Sequence, residues 1–128
     1  MTEFSDRLRE HPVERFDGDC HLFDFRTALN ELRAERHDGQ GGHRQKTIFH
    51  RAPVTYVLFD FEAGGDFPEH AANGLITMQV LQGSILVREE EGTHDLATGT
   101  MLVLAPNVRH SIHANQPAAM LLTVHMAK

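Results

Sequence analysis

The spacing of hydrophobic and polar positions changes near residue 46 and divides the chain into two parts. In residues 25–32 the apolar positions follow the spacing of one helical stripe, and charged residues lie between them. Asp24 is the predicted N-cap of this helix, since its carboxylate can accept hydrogen bonds from the free amides of the first turn. The glycines that come later favour positive φ, so we expect the helix to end near His37 or Asp38.

From residue 46 to the end, short segments rich in β-branched and aromatic residues alternate with turn sequences. Short strands at close intervals are typical of an antiparallel sandwich or barrel, and no second helical pattern intervenes. The predicted strands are KTIFH, VTYVLFDFEA, LITMQVLQ, SILVREE, HDLA, MLVLA, HSIHA and AAMLLTVHM, and GGDFPE is one of the predicted turns. We therefore expect an N-terminal arm and helix over residues 1–45 and an all-β domain over residues 46–128.

Two of the predicted strand segments, MLVLA and AMLLTV, are apolar on both faces. A sheet with one face in water alternates apolar and polar residues, so the outer face of these strands must be covered. The candidates for this cover are the N-terminal helix and a second copy of the chain. We expect a homodimer, because closed twofold assemblies are the commonest way to bury such a face.

Charge and composition exclude several classes of partner. A net charge of −6 gives no general attraction for nucleic acid or for an anionic membrane, so neither is an expected partner. No apolar run approaches the roughly 18 residues that span a bilayer, and the N-terminal sequence does not resemble a signal peptide. The single Cys20 cannot form an internal disulfide, which favours a cytoplasmic location and a structural or surface thiol.

Glycine and histidine recur at the spacing of a known motif in the all-β part. This motif reads Gly, five residues, His, one residue, His, three or four residues, Glu, six residues, Gly. Gly64, His70 and Gly83 lie at the required positions. Ala72 and Ile76 stand where the second His and the Glu of the motif would be.

A second motif reads Gly, five residues, Pro, one residue, Gly, two residues, His, three residues, Asn. Gly99, Asn107 and His110 match it, and alanines stand at its Pro and its Asn. Asn107 replaces the second Gly, and Asn is the best substitute where a turn needs positive φ. Through both motifs, residues 46–128 resemble the cupin family of RmlC-like jelly rolls, above all its small single-domain bacterial members that lack the paired His.

The resemblance implies an all-β, cupin-type double-stranded β-helix, or jelly-roll barrel, with an N-terminal amphipathic helix. Cupins with a complete motif hold Fe, Mn, Ni, Zn or Cu through three His and one Glu that point into the barrel. His70 and His110 are the candidate metal ligands here, and a divalent Fe, Mn, Ni or Zn ion is the candidate cofactor. The apolar Ala72 and Ile76 make the pocket drier and less able to stabilise a cation.

Period-two alternation predicts which other side chains face the pocket. From Ile76 it places Met78 and Val80 on the inward face, and from His110 it places Ile112 inward and His113 outward. The residues expected to line the pocket are Ala72, Ile76, Met78, Val80 and Ile112.

Two further histidines, His50 and His125, lie in predicted strands. Either could enter the barrel and add to the His70 and His110 pair, or it could be a hydrogen-bonded or exposed residue. Glu69 points away from the side on which His70 lies and is expected at the rim of the pocket.

Three functions fit these observations. The first is a cupin barrel that binds a small molecule in a pocket marked by two His, with or without a divalent metal. The second is a metal-dependent oxidoreductase of the dioxygenase type, or an isomerase, with a reduced ligand set. The third is an interaction protein whose partner binds the helix or the outer sheet. No motif assigns a catalytic residue.

Overall fold

Strands make up most of the structure, a computed structural model that describes residues 16–35 and 40–127. One α-helix precedes nine β-strands in these ranges, and a 3₁₀ turn, Gln40–Gly42, lies just before the first strand. The elements are α1 (Phe25–Ala34), β1 (His43–Arg51), β2 (Val54–Phe61), β3 (Asp66–His70), β4 (Gly74–Gln82), β5 (Ser84–Glu89), β6 (Gly92–Ala97), β7 (Met101–Leu104), β8 (His110–His113) and β9 (Ala118–Met126).

Helix α1 begins at the predicted N-cap and packs on the outer face of a sheet. The carboxylate of Asp24 accepts hydrogen bonds from two backbone amides of the first turn, at 3.0 and 3.2 Å. Leu29 and Leu32 are 2% and 1% exposed and pack against Leu58 of β2 and Ala119 of β9. Burial of each leucine contributes about 1.5–3 kcal/mol. The N-terminal helix, one of the two candidates for this role, therefore covers part of the outer face of the sheet.

The helix ends earlier than predicted, at Ala34. Glu35 takes an extended conformation with ψ 145°, and its carboxylate lies 3.1 Å from Nζ of Lys46 on β1. The predicted end near His37 or Asp38 was too late, and those two residues lie outside the described ranges. The glycines that follow the helix in the sequence indicate a turn, but they do not show at which residue the helix ends.

The strands pair in a nested order. β2 pairs with β9, β3 with β8, β4 with β7 and β5 with β6, all antiparallel. These pairs form two sheets, with the strand orders β1-β2-β9-β4-β7 and β3-β8-β5-β6. This is the strand order of a jelly roll, which confirms the predicted all-β double-stranded β-helix. β1 extends the first sheet at its edge, beside β2.

All eight predicted strand segments overlap strands, four of them running one or two residues past the strand end, and β3 is a ninth strand that the sequence pattern missed. The segment GGDFPE predicted a turn there. Pro68 lies within β3 and cannot donate a backbone hydrogen bond, but β3 is the edge strand of its sheet, where a missing donor is tolerated. β1 begins at His43, ahead of the expected domain boundary at residue 46.

Turns at the motif positions adopt the backbone conformation that the motifs require. The φ angles of Gly64, Gly83 and Gly99 are 84°, 71° and 87°, and that of Asn107 is 68°. At Gly83 a Cβ atom would lie 2.4 Å from the carbonyl oxygen of Pro117, so any side chain there would also collide with backbone. The prediction that Asn107 replaces glycine at a positive φ is confirmed.

The inner faces of the two sheets form the core at one end of the barrel. Ile76, Met78 and Val80 of β4 all point inward and are 2%, 0% and 1% exposed. They pack against inward residues of the neighbouring strands, including Phe61 and Met120. Large apolar side chains therefore fill this part of the interior.

Part of the outer face of the first sheet remains uncovered by α1. Leu75 of β4 and Met101 and Val103 of β7 lie on this face and are 41%, 53% and 52% exposed. This exposed apolar surface is the one that the predicted second copy of the chain would bury. Among the described residues, no helix is long and apolar enough to cross a membrane.

Candidate functional site

A cavity of about 440 Å³ occupies the open end of the barrel. Four strands of the first sheet, β1, β2, β4 and β9, and strand β3 of the second contribute to its wall. The wall is mostly apolar, and no Lys, Arg, Asp or Glu of the described residues lines it. Its apolar residues are Val57, Phe59, Phe67, Ala71, Ala72, Ile76, Leu122, Val124 and Met126, and its polar residues are Gln45, His50, Thr55 and His70.

The pairing of β3 with β8 brings the two motif histidines together. His70 is the ladder partner of His110, and the centroids of the two imidazole rings are 4.2 Å apart. The ring of Phe67 packs edge-on against that of His70, with a centroid distance of 4.4 Å. His70 lines the cavity, whereas His110 is only 1% exposed and is not part of the cavity wall.

Both imidazoles are held in the same tautomer by backbone carbonyl groups. Nδ1 of His70 lies 3.0 Å from the carbonyl oxygen of Pro68, and Nδ1 of His110 lies 3.0 Å from that of Val108. A carbonyl oxygen only accepts hydrogen bonds, so each Nδ1 carries the proton and donates. In a neutral ring the lone pair then lies on Nε2. Nε2 of His110 is buried and has no hydrogen-bond partner among the described residues.

The cavity environment favours the neutral form of His70. Burial lowers the pKa of His70 below its ordinary value of 6.5, because the charged ring loses contact with water. The adjacent His110 lowers this pKa further, since two positive rings would repel each other. The hydrogen bond to the carbonyl of Pro68 acts in the opposite direction and does not reverse the shift. At pH 7, His70 therefore presents a neutral acceptor to the cavity.

The described residues fit a metal ion only in part. The two Nε2 atoms are of the type that binds divalent transition metals, and each ring is oriented by a hydrogen bond from Nδ1 to a backbone carbonyl group. However, no group of three or more His, Cys, Asp or Glu side chains among the described residues is arranged to hold a metal. Two imidazoles form an incomplete set compared with the three or four protein ligands of ordinary zinc sites.

The two additional histidines do not complete a ligand set. His50 lines the cavity with His70, but its Nδ1 is 2.8 Å from the hydroxyl of Thr55. His125 is exposed near the end of β9 and does not line the cavity. Neither forms a group of three with His70 and His110. The strand pattern placed both histidines correctly in strands, but it did not determine how far each one lies from the motif pair.

The structure places the residues of the predicted pocket lining at different depths in the barrel. Ala72 and Ile76 line the cavity. Met78 and Val80 point inward, but they lie deeper along β4, inside the filled core. Ile112 is also a core residue, and it borders a separate groove outside the barrel. Alternation shows which face a side chain occupies, but not how deep it lies along the barrel axis.

Several cavity residues outside the predicted lining follow from alternation alone. In VTYVLFDF, the inward positions begin with Thr55, Val57 and Phe59. In AAMLLTVHM, the inward positions at the cavity end are Leu122, Val124 and Met126, and Val124 and Leu122 are the ladder partners of Thr55 and Val57.

Two residues near the motif histidines lie outside the cavity. His113 points to the outer face, where its ring contacts the carboxylate of Asp66. Glu69 is exposed and pairs with Arg109 at 3.2 Å, which places it on the surface and not in the pocket.

Comparison with known proteins assigns the family. Residues 53–126, more than half of the chain, match the family model of the AraC-like ligand binding domain. The chain belongs to this family. No curated protein sequence matches the chain.

Solved structures with low sequence identity share the fold of this AraC-like ligand-binding domain. A conserved protein of unknown function from Streptococcus pyogenes is 19% identical, with a TM-score of 0.71 over 92% of this chain and 99% of that one. A cupin superfamily protein from Desulfitobacterium hafniense is 18% identical, with a TM-score of 0.68 over 88% and 96% of the two chains. The polyketide cyclase RemF from Streptomyces resistomycificus is 14% identical, with a TM-score of 0.60 over 65% and 64%. These similarities establish the cupin fold.

The environments of His70 and His113 shift the pKa values of the two imidazoles in opposite directions. His70 should lose its proton below pH 6.5, whereas the hydrogen bond to Asp66 raises the pKa of His113 above 6.5. Ring resonances followed by NMR across a pH series would measure both values. Asp66→Asn should move the midpoint of His113 downward and leave that of His70 unchanged. If His70 titrated at or above 6.5 in the wild-type protein, the neutral cavity acceptor would be wrong.

Proposed function

We propose that this protein binds an uncharged, mostly apolar small molecule in the barrel cavity. One observation carries this proposal: a mostly apolar cavity of about 440 Å³ is lined by the imidazole of His70, whose Nδ1 is held by a backbone carbonyl group and whose neutral Nε2 can accept a hydrogen bond from a ligand. Ligand pockets of this kind are usually about 300–1,000 Å³, with a few polar groups that orient the ligand. The assignment of residues 53–126 to a ligand-binding family supports the same function.

The wall chemistry restricts the class of ligand. A charged ligand group would lose its hydration without gaining an opposite charge, because no charged side chain of the described residues lines the cavity. The nine apolar residues of the wall favour a hydrocarbon or aromatic body. His70 on β3 is positioned to accept a hydrogen bond, so the ligand should carry a hydroxyl or N–H donor.

The polar side chains on the opposite sheet give a second point of contact. Gln45 and His50 on β1 and Thr55 on β2 line the cavity from the first sheet, whereas His70 lines it from the second. The hydroxyl of Thr55 and Nδ1 of His50 bond to each other at 2.8 Å, which fixes the orientation of that imidazole. A ligand with polar groups at both ends would contact both walls.

Binding of 2-naphthol, an aromatic molecule with one hydroxyl donor, tests this proposal. The wild-type protein should bind it saturably in a fluorescence titration. Ala72→Trp fills space in the cavity and should weaken binding by at least about tenfold, a change of roughly 1.4 kcal/mol. Ala97→Trp makes the same change at an exposed position of β6 and should bind as the wild type does.

Circular dichroism melting of both tryptophan variants would show that each is folded. Unchanged affinity in folded Ala72→Trp, or no saturable binding by the wild type, would contradict a cavity site for this class of molecule.

A second function, binding of a divalent metal, is favoured by the arrangement of the two imidazoles. Both rings donate from Nδ1 to a backbone carbonyl group, which leaves Nε2 as the ligand atom of a neutral ring, and the centroids of the two rings are 4.2 Å apart. His70 and His110 would supply two ligands for Fe, Mn, Ni or Zn, and water or a bound molecule would supply the others. A metal held there would act as a Lewis acid, and a metal-dependent oxidoreductase or isomerase remains the alternative function on this basis.

Calorimetric titration of untagged protein with Zn²⁺ tests the metal site. We expect no more than one equivalent to bind, with modest affinity, because only two protein ligands are present. The double variant His70→Ala, His110→Ala should lose this binding, and His21→Ala, which removes an exposed histidine, should retain it. Elemental analysis of the purified protein gives an independent readout. Equal binding by the double variant and the wild type would exclude this pair as the site.

We also propose that the protein is a homodimer through the uncovered part of the first sheet. Leu75, Met101 and Val103 share this face, and β7 is the edge strand of its sheet, so its outer backbone groups are available for pairing. The stripe of α1 is already buried against its own sheet, so the helix offers no comparable surface. A cytoplasmic location remains a prediction, and Cys20 is an exposed free thiol.

Sedimentation velocity tests the assembly. The wild type should sediment as a dimer, and the double variant Met101→Lys, Val103→Lys should sediment as a monomer, because two charges would be desolvated at the contact. Ala97→Lys adds a charge on the outer face of the other sheet and should remain dimeric. A dimer that survives the double variant must use another surface.

A further inference from the structure

The outer face of the four-stranded sheet contains a groove that is separate from the barrel cavity. We call it the outer groove; its volume is about 420 Å³, and it is lined by side chains of all four strands β3, β8, β5 and β6. Its polar residues are Asp66, Arg88, Thr93, Ser111 and His113. They are the outward neighbours, along the same strands, of the side chains that point into the barrel.

Three hydrogen-bond donors lie in one row across the outer groove. Arg88 of β5 is the ladder partner of Ser111 of β8 on one side and of Thr93 of β6 on the other. Side chains directly opposite each other in an antiparallel ladder have Cβ atoms about 4.5–5.5 Å apart. A guanidinium group and two hydroxyl groups therefore face the same small volume.

These three donors have no side-chain partner within residues 16–35 and 40–127. Neither an ion pair nor a side-chain hydrogen bond involves Arg88, Thr93 or Ser111 in these ranges. Most other cations in the same ranges do have a carboxylate within ion-pair distance, as in the pairs of Arg33 with Asp60 and of Arg109 with Glu69. Arg88 carries its charge without such a carboxylate in these ranges, although the chain as a whole has a net charge of −6.

Asp66, the acidic residue of the outer groove, pairs with a histidine and not with Arg88. Asp66 bonds through its carboxylate to Nδ1 of His113, so it does not neutralise Arg88. Asp95 shares the outer face on β6 but lies across Leu86, in the row of Asp66 and His113, and forms no ion pair with Arg88. The positive charge of Arg88 is therefore directed at the groove.

Apolar groups next to the three donors limit what kind of anion fits. Leu86, Phe67 and Pro68 line the same groove. A free inorganic anion would use the donors alone, whereas an organic anion would also cover the outward apolar side chain of Leu86.

We propose that the outer groove binds a small organic anion whose carboxylate or phosphate group lies between Arg88, Ser111 and Thr93. Its oxygens accept hydrogen bonds from the guanidinium group and from both hydroxyl groups, and its apolar part lies on Leu86 and Pro68. This ligand differs in charge from the uncharged molecule proposed for the barrel cavity. The two sites lie on opposite faces of the second sheet.

An NMR titration with two probe anions tests this site. ¹⁵N-labelled protein is titrated with inorganic phosphate and, separately, with benzoate, at constant ionic strength because salt screens exposed charges. For at least one probe, we expect saturable shifts at the amides of Arg88, Thr93 and Ser111. Saturation by phosphate alone indicates a phosphate-bearing ligand, and tighter binding of benzoate indicates a carboxylate with an apolar body.

Matched arginine variants make the test specific. Arg88→Gln should weaken the binding of the probe by about tenfold or more, because it removes a charged donor. Arg109→Gln, which removes another exposed arginine, should leave the affinity unchanged, and Ser111→Ala should weaken it by a smaller factor. The proposal is overturned if neither probe gives saturable shifts in the groove, or if Arg88→Gln binds as tightly as the wild type. Benzoate shifts confined to cavity residues such as Val124 would also count against it, whatever the outcome of the naphthol experiment.

Discussion

The antiparallel pairing of β3 with β8 is the contact on which both candidate sites depend. On the inner face it sets His70 against His110, and on the outer face it sets Asp66 against His113. The ladder shifts register between Phe67 and His70, so His70 faces inward although it lies four residues after the outward-facing Asp66. Without this shift, alternation would place both side chains on the same face. β3 is short and contains Pro68, so its position depends on the partner strand and on the jelly-roll closure more than on its own strand propensity.

Replacement of two motif ligands by apolar residues changes the physical character of the interior. Ala72 and Ile76 contribute to a wall with no charged side chain among the described residues, and this dry wall helps to keep His70 neutral. A neutral imidazole is both a hydrogen-bond acceptor and a metal ligand, so one geometry supports both proposed functions. The two proposed functions differ in the number of protein groups that they need. A hydrogen-bonding site needs one unprotonated imidazole nitrogen, whereas a tightly bound metal needs at least a third protein ligand.

The two faces of the second sheet differ in chemistry. Its inner face carries the imidazole pair, apolar core residues and the pair of Glu89 with His94, and its outer face carries Arg88 with two hydroxyl groups. Residues of β3 contribute to the lining of both the cavity and the outer groove. An uncharged ligand inside and an anion outside would therefore contact the same edge strand from its two sides.

The sequence alone determined the strand pattern, the helix cap at Asp24, the turn conformations at Gly83 and Asn107, and the family resemblance, because each depends on local preference or on fixed spacing. Periodicity also determined that Met78 and Val80 point inward. Only the tertiary structure decided that these two lie in the filled core while Leu122 and Val124 line the cavity, since depth along a barrel depends on how strands from both sheets pack. The tertiary structure also decided that β3 is a strand, because β3 forms only where β8 pairs with it. It decided as well that Arg88 has no acidic partner among the described residues, because the side chains around Arg88 come from four separate strands.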